Sequence, residues 1–170
     1  MILEKFMIGA GILLVHLFVR TQLLDIDYFK PDLVFVTTIF FALRRGGLTG
    51  LWAGFLGGLL LDVQLGEEDG INGEKYYKLG LHMLSYSVVG YTVGKFGRNL
   101  YNESILSVAI TAFILTLLAR AFVYFLYTFF FHATANYTFL PEAAYNFILA
   151  VPFFYILSWV YRMYSSEVHE

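Results

Sequence analysis

The sequence predicts an all-α integral membrane protein, six transmembrane helices in one bundle, forming a single polytopic domain over residues 1–170. Three observations carry this expectation. Of the 170 residues, 59% are hydrophobic and only 14% charged, with a mean hydropathy of +0.68; an average soluble domain carries roughly 25% charged residues. Six apolar segments alternate with short polar ones, and a span needs roughly 20 apolar residues to cross a hydrocarbon core. In the third segment, Gly46, Gly50, Gly54 and Gly58 recur at every fourth residue and run into Asp62. Cysteine is absent, which excludes disulfides, thiolate chemistry and Cys-ligated metals. The net charge of −2 gives no electrostatic reason for a nucleic-acid partner.

The first segment, residues 6–24, has a lysine before a long apolar run and no small-x-small cleavage site, so it is expected as a retained span rather than a removed signal. His16 and Arg20 lie four apart on it and share a face; His16 is expected to be a structural polar residue. The second segment, 28–43, is short and expected to be thin, tilted or partly spanning, with Pro31 in its first helical turn. Only Arg44, Arg45 and Gly46 separate it from the third segment, 47–65, so the two should be antiparallel neighbours.

Residues four apart on that third helix lie on one inclined ridge. In water each glycine there costs about 1 kcal/mol relative to alanine. In a membrane the same spacing lets another backbone come close. Steps of four turn about 400° at roughly 3.6 residues per turn, so the seam drifts around the helix. It is expected to serve two neighbours in succession, the second segment near Gly46 and Gly50 and another helix near Gly58, with Asp62 at the outer boundary. The connection GEEDGINGEKYYK, residues 66–78, is expected as a solvated acidic loop, because Asp62, Gln64 and Gly66 miss the calcium-loop register. The fourth segment, 79–96, carries a second small-xxx-small face in Gly90 and Gly94.

The fifth segment, 104–131, exceeds a span and should tilt or project. A lone charge near its middle, Arg120, costs from about 3 to above 10 kcal/mol in hydrocarbon. It therefore requires a carboxylate, carbonyls or water, and Asp62 is one candidate partner. Phe122, Tyr124, Phe125 and Phe129 cover more than one helical face, more than an interfacial belt requires. They are candidates for docking a partner's transmembrane helix, with lipid-facing bulk as the alternative. The sixth segment is 143–163.

Lys5, Arg44, Arg45, Lys95, Arg98 and Arg162 fall on one side, while Arg20, Lys30, Lys75 and Lys78 share the other with most of the acids. The positive-inside rule puts the first side, and both termini, in the cytoplasm. No catalytic constellation emerges: His82 and Ser85 lie three apart without an orienting third group, and G-x-S-x-G and H-E-x-x-H are absent. No enzyme activity, metal or cofactor is expected.

The run PDLVFVTTIFFALRRGGLTGLWAGFLGGLLLDVQLG, followed by LGLHMLSYSVVGYTVGKF, resembles the bacterial rod shape-determining MreD family. The matching elements are Pro31-Asp32, the short basic turn, the glycine run ending in Asp62, and the Leu-Gly start of the Ser/Tyr/Gly helix. They cover about residues 28–96; the loop 66–78 is longer and more acidic than is typical of the family. The resemblance implies a non-enzymatic six-helix scaffold of the elongation complex in the bacterial cytoplasmic (inner) membrane, maintaining rod shape and lateral peptidoglycan synthesis. It implies MreC as direct partner through transmembrane contacts, with MreB, RodA and its transpeptidase in the wider complex. It also implies a fold similar to the substrate-binding subunits of energy-coupling-factor transporters. From that similarity comes the alternative function, a small-molecule-binding subunit for vitamin uptake, capped on its outer side by residues 66–78 and 132–142.

Overall fold

Every other helix of the protein touches α2, Leu33–Arg45. In this computed structural model residues 2–21, 24, 31–65, 67–69, 75–77, 79–97, 104–131 and 139–167 are described. Residues Leu33 to Leu43 of α2 are buried without interruption. A helix that is apolar on all sides is stable only when it is surrounded. The Asp32 carboxylate accepts the Phe35 N–H at 2.9 Å and so starts the helix at Leu33. Pro31 consequently precedes the cap and does not stand in the first helical turn as expected. At the other end Gly46 adopts φ 94°, and its N–H closes on Ala42 O at 2.8 Å. Glycine enters that left-handed region without a Cβ penalty, which lets the chain reverse over a single residue.

The reversal leads into α3, Gly47–Leu65. The segment expected as a solvated loop instead contains a hairpin, β1 Glu67–Asp69 paired antiparallel with β2 Lys75–Tyr77. Its register sets Asp69 opposite Lys75. The intervening 70–74 lie outside the described residues. Helix α4, Leu81–Thr92, follows and continues as a π-helical turn, Val93–Gly97. An antiparallel pair, α5 Ile105–Phe131 and α6 Leu140–Glu167, completes the fold, and α1, Ile2–Arg20, packs on α2 and α3. Helix α6 starts three residues earlier than expected, which brings Glu142 into its first turn.

From Gly50 to Gly58 the glycine ladder faces α4. A Cβ on Gly50 would strike the Gly90 backbone, one on Gly54 the Tyr86 and Ser87 backbone, and one on Gly58 the His82 and Met83 backbone. Gly94 meets Gly46 and Gly47 in the same way. The facing positions on α4 and its π-helical continuation are therefore His82, Tyr86, Gly90 and Gly94, also four apart. Of the expected division between two neighbours, the α2 share is seen at Gly50, where Ala42 also comes close, while α4 faces the seam there and at Gly54 and Gly58. A repeat longer than 3.6 residues drifts in the right-handed sense, and a partner seam with the same repeat drifts with it. The seams therefore stay in register over about 24 Å, at 1.5 Å per residue from Gly46 to Asp62.

Among the described residues, two helices are long and apolar enough to cross a membrane, Ile105–Phe130 and Leu140–Tyr161; Ile8–Arg20 and Gly47–Val63 are shorter apolar helices. Their outer faces are apolar too. Leu14, Ile114, Leu118, Phe129, Ile148 and Trp159 are all more than half exposed, an extent of bare hydrocarbon that water-soluble monomers avoid.

Candidate functional site

At the end of the α3 seam, Asp62 is buried with 3% of its surface exposed. Its carboxylate accepts the backbone N–H groups of Gly80 at 2.8 Å, His82 at 3.1 Å and Met83 at 3.1 Å. It also pairs with His82 Nδ1 at 2.8 Å. Helix α4 lacks a side-chain cap of its own, because its N-cap residue is Gly80. The first N–H groups of a helix have no partner within it, and their aligned dipoles favour an anion. Helix α3 therefore supplies the cap that α4 lacks, and the glycine seam sets the register that delivers it.

A second buried network begins beside it. The His82 ring meets the Tyr86 ring edge-on, with centroids 5.6 Å apart, and the Tyr86 hydroxyl donates to Asp32. The Asp32 backbone N–H donates to Asn146 Oδ1 at 2.9 Å. Asn146 Nδ2 in turn donates to Thr116 Oγ1 at 3.1 Å, and Thr116 Oγ1 donates to Ala112 O at 2.7 Å. Helices α2, α4, α5 and α6 thus meet through side chains that are nearly or wholly excluded from solvent. A satisfied buried network of this kind specifies one arrangement of helices. Among the described residues, no group of three or more His, Cys, Asp or Glu could hold a metal.

Arg120 pairs with Glu142 across α5 and α6, not with Asp62. Asp62 is taken up by the α4 terminus, whereas Glu142 stands in the first turn of α6, where a carboxylate also favours the helix dipole. His82 and Ser85 do not bond to each other: Ser85 Oγ donates to Ala119 O at 2.8 Å. His16 is buried on α1, and its Nδ1 has no partner among the described residues.

Asp32, Tyr86, Thr116 and Asn146 were not singled out as site residues from the sequence. A signal was present for two of them, since Thr116 and Asn146 are hydrogen-bonding side chains deep inside apolar segments, where such groups join helices.

On the far side of α4 lies an apolar groove of about 610 Å³ shared with α5. Its walls include Val88, Val93 and Phe96 from the α4 side and Leu118, Phe122 and Phe125 from α5. Leu81, Val123 and Leu126 form a small buried cluster against which Phe122 packs. Its lining runs from Val88 to Gly97 on the α4 side and from Leu115 to Phe125 on α5, about 14–15 Å of each helix at 1.5 Å per residue. Of the four aromatic candidates, Phe122 and Phe125 line this groove. Phe129 stacks on Phe125 with centroids 6.1 Å apart, whereas Tyr124 turns to the α6 side and packs on Phe139 at 5.6 Å.

The family described as rod shape-determining protein MreD matches residues 1–164, extending the likeness read from residues 28–96 to nearly the whole chain. No curated protein and no solved structure matches the chain.

Proposed function

This chain belongs to the MreD family of rod shape-determining proteins, and from that premise we propose that it is a six-span, non-enzymatic scaffold of the cell-wall elongation complex that binds the transmembrane helix of MreC. The family gives the role in rod shape. The spanning reading rests on the apolar outer faces and the two helices of membrane-crossing length, with α2 enclosed as an internal pillar. The scaffold reading rests on buried polar groups that are spent on joining helices. The observation that carries MreC binding is the α4–α5 groove: apolar, bare, and walled by Phe122 and Phe125. A helix in a hydrophobic groove is a recurrent recognition mode. MreB, RodA and its transpeptidase would be reached through MreC, and the basic ends of α2 and α4 would face the cytoplasm.

Co-purification from detergent with the chain's own MreC tests this reading. Loss of a central hot-spot contact costs at least about 2 kcal/mol, or roughly thirtyfold in affinity. Phe125→Glu should therefore remove MreC from the complex, while Tyr124→Leu, directed at α6, should leave it bound. Retention of MreC by Phe125→Glu refutes docking in this groove, and rods that keep their shape without the protein refute the scaffold role.

A further inference from the structure

Helix α4 borders a second apolar groove, on its α3 side, of about 380 Å³. Leu51 and Phe55 of α3 form one wall, and Met83, Ser87 and Tyr91 of α4 form the other. Ser87 and Thr92 spend their hydroxyl protons within α4: Ser87 Oγ donates to Met83 O at 2.6 Å and Thr92 Oγ1 to Val88 O at 2.8 Å. Neither proton is left to donate to a ligand, whereas a hydrocarbon chain needs none.

The groove also has a definite length and a charged end. From Met83 to Thr92 is nine residues, about 14 Å of helix, close to half of the roughly 30 Å hydrocarbon core. This groove is therefore about one leaflet deep, and Lys95 follows one turn beyond it. At its basic end the Lys95 Nζ lies 5.6 Å from the centroid of the Tyr91 ring and 5.3 Å from that of Phe96. Aromatic faces hold an ammonium electrostatically while leaving its three donors free to turn. Lysine at the polar boundary is matched by an anionic headgroup, and basic sites between membrane helices on the cytoplasmic side select such lipids.

We propose that this groove is a site for an anionic phospholipid of the leaflet on the basic side, one acyl chain lying between α3 and α4 and the phosphate resting on Lys95. The site rests on the spanning reading above. It makes the glycine seam one flank of a lipid contact, and it leaves the other face of α4 for a partner helix.

Native mass spectrometry of the full chain, released from detergent in the presence of phosphatidylglycerol and phosphatidylethanolamine with matched acyl chains, tests it. One basic residue near a membrane surface changes affinity for an anionic lipid about fivefold. Wild type should retain phosphatidylglycerol in preference, Lys95→Gln should lower that preference about fivefold, and Lys95→Arg should keep it. Ser87→Leu, which fills the groove, should reduce retention of both lipids. Equal retention of the two lipids by wild type overturns the proposal, as does an unchanged preference in Lys95→Gln. Undiminished retention in Ser87→Leu overturns the acyl-chain position and leaves only a headgroup contact. Release of the chain from membranes by alkaline carbonate overturns the spanning reading and this site with it; an integrated chain without lipid preference overturns the site alone.

Discussion

Replacing Gly54 with alanine separates the close-packing account of the seam from a mere glycine preference. A Cβ at Gly54 would lie inside 3.0 Å of three backbone atoms of Tyr86 and Ser87. Backbone cannot rotate aside as a side chain can, so α3 and α4 must move apart. Overpacking of this kind costs typically 1–3 kcal/mol, and at a backbone-to-backbone crossing about 3 kcal/mol applies. Alanine returns up to about 1 kcal/mol of helix propensity. The net is about 2 kcal/mol of destabilisation, or about 4–8 °C in melting temperature for a chain of this size. Separation of the helices also withdraws Asp62 from the α4 terminus, so the loss should be cooperative with that cap. The assay is thermal unfolding of the detergent-purified chain, followed by loss of the monodisperse peak. Gly9→Ala is the internal control, because a Cβ there meets nothing within 4 Å, and it should melt at or above the wild type. A Gly54→Ala protein as stable as wild type, or a Gly9→Ala protein that falls with it, would refute the argument.

The polar contacts yield the remaining predictions. Asp62→Ala strands the N–H groups of Gly80, His82 and Met83, and at about 1–3 kcal/mol for each buried unsatisfied group it should abolish folded protein in detergent; Asp62→Asn, which keeps an acceptor, should survive at lower yield. A double-mutant cycle between Tyr86→Phe and Asn146→Leu, read by melting temperature, should show a coupling of about 0.5–3 kcal/mol; strict additivity would mean that Asp32 does not join them. Arg120→Met or Glu142→Gln alone should be more destabilising than Arg120→Met with Glu142→Met, because a single change strands a charge whereas the double change replaces the pair with hydrocarbon. A panel of vitamins should leave the melting temperature unmoved, whereas a true ligand at about 100 times its dissociation constant adds about 2.7 kcal/mol.

The parts of this molecule that are legible in the chain are those governed by local periodicity. Six apolar stretches became six helices because side-chain hydrophobicity and backbone hydrogen bonding act over a few neighbouring residues. The spacing of Gly50, Gly54 and Gly58 marked a close-packing face for the same reason. What the spacing did not contain was that α4 is the main neighbour: the seam follows it because His82, Tyr86, Gly90 and Gly94 repeat at the same interval. The hairpin was obscured by its acidity, since strand pairing depends on register across the turn and not on the polarity of either arm.

Composition and order alone thus determined a helical, apolar protein without thiol or recognisable catalytic chemistry, and the residues around the glycine run determined its family. Tertiary structure decided which polar groups meet. Asp32 and Asn146 are 114 residues apart in the chain yet share a hydrogen bond, and Asp62 caps a helix that begins beyond the hairpin. The physical reason is that a buried donor or acceptor must be satisfied wherever a partner can be brought to it, and only the packing of the helices determines which partner comes within reach.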